Sequence, residues 1–439
     1  MKECPVEDMR IETLGECTVD SPGATREWGL GAKSWMDDSD RILLDDHTRC
    51  GGTVAIPALR SVELAGPRRK VFFVPEKTTC AVVTCGGLCP GINDVIRSLV
   101  MHAFHGYGIR RFLGIPFGFE GLNPALGHTP LGLSPNLVSR IQHLGGSVLG
   151  TSRGPQDPAV MLATLQSLGV DVLFVVGGDG SQKGAWAIHE HARKQGLPIT
   201  VVGIPKTIDN DLRFMDRSFG HLTAFSEAFR SVSVAHAEAR GARRGVGLVR
   251  LMGRDSGFIA CSAALATAEA NFVLIPEVPF GLEGEHGLLA CLERRLEARG
   301  HALIVVAEGA GQHLFTHQFT PVDASGNRQF GDIGVFLKET IARHFTGRNA
   351  PVNLRYMDPA YQLRGVVATP EDRIFCLQLA RHAIHAAMSG KTGLVVACRH
   401  NRFVHLPMPA VTRGRNRVDP EGDLWRCVLE STGQPAKMA

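Results

Sequence analysis

The sequence predicts an α/β protein with two doubly wound, mainly parallel (Rossmann-like) sheets and an N-terminal extension. Three observations predict it. After Cys80, short β-branched runs alternate with helical stretches, the pattern of βαβ units around a parallel sheet covered on both faces. Glycine-rich segments stand just beyond several of these runs, where open parallel sheets place their ligands. The 439 residues exceed one ordinary core and suit two domains plus an extension.

Residues 1–78 form the extension. Their mixed composition, with Ser21-Pro22 and the charged Arg68-Arg69-Lys70, points to partial order at best. Cys80–Thr84 reads as a strand, and Ile92, Val95, Ile96, Leu99 and Val100 fall on one face of the helix after it. Val172–Val176 reads as a second strand, followed by a helix through Ala185–His191. Thr200–Ile204 is a third strand and Ala302–Ala307 a fourth. Crossovers between such strands are expected to be right-handed.

Composition narrows the function classes. Apolar residues make up 44% and charged residues 21%, as in soluble globular proteins. A net charge of +4 demands neither a nucleic acid nor a membrane as partner. No apolar stretch is long enough to span a bilayer. The N-terminus, with Glu3, Glu7 and Asp8, lacks a signal-peptide core, and Lys437-Met438-Ala439 is no peroxisomal signal. Eleven scattered cysteines fit reduced thiols and a cytoplasmic location.

Four segments carry the chemistry. In Thr84-Cys85-Gly86-Gly87-Leu88-Cys89-Pro90-Gly91-Ile92-Asn93, glycines let backbone amides approach a phosphate at a helix N-terminus; a plain strand-to-helix turn would look alike. In Val176-Gly177-Gly178-Asp179-Gly180-Ser181, an aspartate on a tight glycine turn can reach a phosphate-bound metal, or simply cap a helix. Pro205-Lys206-Thr207-Ile208-Asp209-Asn210-Asp211 crowds two carboxylates and a lysine after an apolar strand, a good place for proton removal and charge neutralisation. In Leu251-Met252-Gly253-Arg254-Asp255-Ser256-Gly257, an arginine follows Val246–Leu251, a run broken by Gly247 and Arg250; it suits bidentate phosphate recognition or a structural ion pair.

Other patterns fail on inspection. Gly390-Lys391-Thr392 looks like a Walker A ending, but the glycine required five positions upstream is His385. Cys85 and Cys89 have no second pair and read as buried thiols rather than a zinc site. His189-Glu190-His191 lacks the spacing of a zinc-protease helix. Arg240, Arg243 and Arg244 read as a solvated basic face.

In this order the four segments resemble the phosphofructokinase family, over about Cys80 to Thr412. The Gly-Gly-Asp-Gly turn occurs also in diacylglycerol and NAD kinases; Thr207–Asp211 together with Met252–Arg254 is specific. Ala307-Glu308-Gly309 and Tyr356-Met357-Asp358-Pro359-Ala360-Tyr361-Gln362-Leu363-Arg364 extend the likeness, most of all to plant and trypanosomatid ATP-dependent enzymes. The resemblance implies a nucleotide domain over 79–220 plus 364–415 and a fructose 6-phosphate domain over 221–363 plus 416–439. It implies nucleotide contacts from Gly87, Arg153 and Gly177, Gly178, Asp179, Gly180 and Ser181, with Asp179 carrying Mg²⁺. It implies sugar-phosphate contacts from Thr207, Ile208, Asp209, Met252, Gly253, Arg254, Glu308, Tyr361, Gln362, Leu363 and Arg364, with Arg244 or Arg355 reaching the 6-phosphate. Asp209 is then the base, assisted by Thr207 and Lys206.

The implied reaction transfers the γ-phosphoryl of ATP to the 1-hydroxyl of fructose 6-phosphate, in a homo-oligomer (dimer or tetramer). Two positions depart from one bacterial branch: tyrosine at 361 replaces histidine, and Lys206 is a residue shared with pyrophosphate users. A pyrophosphate-dependent enzyme is therefore one alternative. A non-catalytic regulatory subunit is another, although Asp209 and Asp179 both stand. Gly180 favours ATP, because pyrophosphate users place an aspartate there, which would fill and repel the space of the α-phosphate.

Overall fold

The computed structural model describes residues 9–25, 35–45, 60–315 and 330–438. Glu3, Glu7, Asp8 and Ala439 lie outside them. The chain divides into two compact units. The first holds residues 1–207, 212–220 and 366–414; the second holds 208–211, 221–365 and 415–439.

In chain order, β1 (Arg41–Leu43), β2 (Ser61–Leu64) and β3 (Thr79–Thr84) precede helix α1 (Ile92–Met101). Next come β4 (Arg111–Ile115), β5 (Leu131–Gly132), β6 (Val172–Gly177), α2 (Asp179–Lys194) and β7 (Thr200–Pro205). The second unit contributes α3 (His221–Gly241), β8 (Gly245–Leu251), α4 (Phe258–Thr267), β9 (Phe272–Leu274), α5 (Leu288–Arg299), β10 (His301–Ala307), α6 (Ile333–Gly347), β11 (Asn353–Met357) and α7 (Ala360–Gly365). The chain returns to the first unit with α8 (Pro370–Met388), β12 (Leu394–Arg399) and β13 (Arg402–Pro407).

Among the described residues, the first unit is built on a nine-stranded sheet ordered β1-β2-β13-β12-β7-β6-β3-β4-β5. Its central five strands, β12 to β4, are parallel; the flanking strands are antiparallel. Every residue of β3, β6 and β7 is buried, which is why these strands read as continuous apolar runs. Within the described part of the extension, β1 and β2 lengthen this sheet by pairing onto β13. Lys391, from the failed Walker-like segment, is buried and ion-paired at 3.0 Å to both Glu63 and Asp38 of the extension.

The second unit carries a wholly parallel sheet ordered β9-β10-β8-β11. Gly247 breaks the apolar run of β8 for a packing reason. A Cβ there would come within 2.8 Å of the Ala235 carbonyl on α3, so the glycine lets that helix lie close against the strand.

Candidate functional site

In the first unit, the candidate residues gather where β3, β6 and β7 end. Gly177 closes β6, Gly178 is the N-cap of α2, and Asp179 is the first residue of that 16-residue helix. The helix starts six residues before the reading from Ala185. Its first turn contains Gly180 and Ser181, which have weak helix propensity, and packing overrides it. The side chain of buried Gln182 supports the turn from below, with Nε2 donating to the Gly177 carbonyl at 2.9 Å. A Cβ on Gly203 would overlap that side chain. Gln182 stands outside every motif the sequence displays; a lone glycine inside the β-branched run Thr200–Ile204 was the available sign.

Lys206 follows β7 and is only 6% exposed. Its ammonium donates to the Gly87 carbonyl at 2.7 Å, and its own amide donates to the Gly177 carbonyl at 3.1 Å. A cation, a glycine turn and a helix N-terminus thus meet, as anion binding requires. Gly86, at φ 83°, turns this corner in a left-handed conformation and donates to the Ser152 carbonyl at 2.9 Å, tying in the loop that presents exposed Arg153. Gly180 is exposed, and a Cβ there meets nothing within 4 Å. The Thr207 carbonyl accepts from Ser218 Oγ. Cys85 and Cys89 are buried thiols outside any disulfide, and Cys89 Sγ donates to the Phe219 carbonyl at 3.3 Å.

Asp179 is the metal candidate. Its carboxylate accepts from Lys183 at 2.9 Å, one turn along α2. Among the described residues no group of three or more His, Cys, Asp or Glu could hold a metal ion. One carboxylate on a glycine turn at a helix N-terminus would suit Mg²⁺, an ion that keeps several waters and commonly takes further ligands from phosphates.

In the second unit, Ile208–Asp211 form a turn with Asn210 in the left-handed region, φ 54°. The two carboxylates part company here. Asp211 is ion-paired with Arg415, and Asn416 donates to the Asn210 carbonyl at 3.0 Å. Asp209 is pushed up to about 7, first by its removal from water and then by the charges of Asp211 and Glu308. The Arg254 amide bonded to it and the charge of Arg364 pull the other way. Ser256 Oγ donates to the Asp209 carbonyl at 2.7 Å, fixing the turn against the loop after β8.

Met252 and Gly253 are buried, and Arg254 is partly exposed with its guanidinium 4.7 Å from the centre of the Phe330 ring. Gly253 has φ 133°, and a Cβ there would press on the Ser256 carbonyl at 2.5 Å. The Glu308 amide donates to the Leu251 carbonyl at 2.9 Å, and the Gly309 amide to that of Gly253 at 3.1 Å. Glu308 therefore sits beside the Met-Gly-Arg loop. On α7, Tyr361 is 89% exposed and Gln362 is exposed, while Arg364 is partly so. Leu363 is fully buried, so its side chain packs α7 down and its backbone is what a ligand could meet. Arg355 is 3.6 Å from Glu238, and Arg244 lies over Phe345 rather than on a simply solvated face.

A family model described as phosphofructokinase matches residues 79–387. The chain belongs to the phosphofructokinase family. Among curated phosphofructokinases, the ATP-dependent 6-phosphofructokinase of Amycolatopsis methanolica is 47% identical over 441 residues, spanning 98% of this chain and 96% of its own. That of Borreliella burgdorferi is 42% identical over 438 residues, spanning 98% of each. That of Trypanosoma brucei brucei is 41% identical over 432 residues, spanning 97% of this chain and 87% of its own. The fold is shared with the solved pyrophosphate-dependent phosphofructokinase of Marinobacter aquaeolei, at TM-score 0.67 and 19% identity over 81% of this chain and 91% of that one. Phosphofructokinase of Pichia pastoris also shares it, at TM-score 0.62 and 21% identity, over 81% of this chain and 37% of that one. No helix among the described residues is long and apolar enough to cross a membrane.

Proposed function

We propose that this chain is an ATP-dependent 6-phosphofructokinase, transferring the γ-phosphoryl of ATP to the 1-hydroxyl of fructose 6-phosphate. The observation that carries the reading is its identity, over nearly the full length, to enzymes of that name from bacteria and a trypanosome. The chemistry of the residues supports it.

The first unit is the nucleotide domain in this reading. Gly87, Arg153 and the turn Gly177–Ser181 bind the nucleotide phosphates. Lys206 is held in place by the Gly87 carbonyl and offers charge to the phosphoryl in flight. Asp179 would hold Mg²⁺, which when bound neutralises charge on the donor phosphates.

The second unit is the sugar domain. Arg254 takes the sugar phosphate through charge-assisted hydrogen bonds. Glu308, Tyr361, Gln362 and Arg364 orient the sugar, with Met252 and Gly253 forming the floor. A sugar hydroxyl is a weak nucleophile, so a carboxylate must take its proton as it attacks. Asp209 suits that task because its proton affinity lies near neutrality. Arg244 or Arg355 supplies a further phosphate contact. We place the enzyme in the cytoplasm as a homo-oligomer, on family analogy.

The donor assignment rests on Gly180, whose open surroundings leave room for the α-phosphate. A coupled assay with fructose 6-phosphate and either ATP or pyrophosphate tests it. Faster turnover with ATP at saturation is expected; faster turnover with pyrophosphate would overturn the assignment.

A further inference from the structure

β8 runs down the middle of the second sheet, between β10 and β11. Its pairing with β11 ends at Val249 and Met357, and its pairing with β10 ends at Leu251 and Ala307. Arg250 therefore lies near the carboxyl edge of the sheet, opposite Val306 close to the end of β10 and level with the first residue beyond β11. Its guanidinium takes a carboxylate from each side. Nη2 donates to Glu308 beyond β10 at 3.3 Å, and Nη1 donates to Asp358 beyond β11. Nε is 3.7 Å from Asp332, the residue that caps α6.

Both strand-end partners lead to residues assigned to the sugar. Asp358 spends its other oxygen on the Ala360 amide at 3.1 Å, so it caps the start of α7, the helix of Tyr361, Gln362 and Arg364. Glu308 engages Arg250 through one oxygen, Oε2, and its Oε1 makes no hydrogen bond among the described residues. One carboxylate oxygen is thus anchored while the other remains available to a hydroxyl donor. The Arg250 side chain is 20% exposed, so water screens these contacts only in part.

We propose that Arg250 is the positioning residue of the sugar site. It fixes the direction of Glu308 and, through Asp358, the setting of α7, without touching substrate itself. This rests on the assignment of Glu308 and α7 to fructose 6-phosphate. A planar guanidinium can serve three carboxylates lying in different directions, whereas an ammonium on a flexible stem cannot hold them all in fixed geometry. The arrangement also accounts for an arginine inside an otherwise apolar strand.

The test is steady-state kinetics on Arg250→Met, Arg250→Lys and Asp358→Asn, with both substrates varied. For Arg250→Met, KM for fructose 6-phosphate is expected to rise roughly 10- to 100-fold, the loss typical of charge-assisted hydrogen bonds. KM for ATP should stay within about twofold, and kcat should fall less than KM rises, because binding geometry and not the base is disturbed. Arg250→Lys should recover part of the loss. Asp358→Asn should reproduce a smaller rise, since it loosens α7 and leaves Glu308 anchored. The proposal is overturned if Arg250→Met changes KM for fructose 6-phosphate by less than twofold. It is equally overturned if both KM values rise together, or if Arg250→Lys is no better than Arg250→Met. An unaltered enzyme inactive on fructose 6-phosphate would instead sink the functional assignment on which the proposal rests.

Discussion

The titration of Asp209 offers the most direct check on its role. The group is held near 7 by burial and by Asp211 and Glu308, against the Arg254 amide and the Arg364 charge. A base works only when ionised. With a midpoint near 7, roughly one tenth of the free enzyme is ready at pH 6 and about nine tenths at pH 8. The value of kcat/KM, which reports the free enzyme, should therefore rise about tenfold across that interval. The phosphate of the sugar has a titration of its own near pH 6, so the shape of one curve is not enough. Paired variants remove the ambiguity, because the substrate contributes equally to both. Glu308→Gln deletes a neighbouring negative charge and should move the midpoint down by roughly half a unit to one unit. Arg364→Gln deletes a positive charge and should move it up. Both variants will also lose affinity for the sugar, so the midpoint is the readout, not the height. Asp209 is not the titrating base if the unaltered enzyme shows a flat profile from pH 6 to 8, or if both variants shift the same way. The same shift affects stability with a definite sign. A carboxyl raised on folding binds its proton more tightly in the folded protein, so this contribution is most favourable in acid and is lost as pH rises through about 7.

Asp209→Asn should cut kcat by on the order of 10²- to 10⁴-fold while leaving both KM values nearly unchanged; a loss below tenfold would remove Asp209 from the mechanism. Arg254→Ala should raise KM for fructose 6-phosphate far more than KM for ATP, and equal losses would point to a misassigned residue. Gly180→Asp should abolish use of ATP in the coupled assay. A Cβ at this exposed position meets nothing within 4 Å, so thermal melting should remain close to that of the parent, and a large drop in Tm would undo the steric argument. Sedimentation velocity should show a dimer or tetramer, and a fully active monomer would refute the homo-oligomer.

The strands that position the site were legible because they are buried on both faces. β3, β6 and β7 each present six buried residues, so composition alone reveals them. β1 and β2 escaped notice because strands of three and four residues have too little periodicity to stand out. The site motifs were legible as clusters of glycine with charge at strand ends. Which carboxylate does what was not. Asp211 meets Arg415, 204 positions away in sequence, and only the folded chain separates it from Asp209. Arg250 was visible as an interruption in an apolar run, but its three partners, at 308, 332 and 358, come from separate elements. Local pattern reveals that a residue is out of place; long-range pairing reveals why.

The way the backbone passes between the two units carries a last consequence. It crosses after Thr207, Asp211, Gly220, Gly365 and Gly414. The tetrapeptide Ile208–Asp211, which holds Asp209, belongs to one unit but is spliced into a stretch of the other, like a tab sewn through a buttonhole. No single cut yields two self-contained halves, so neither could be expressed alone or exchanged by a simple gene fusion. A lineage of such enzymes is therefore expected to diversify by substitution and by copying of the entire chain, rather than by trading a donor-binding module for another.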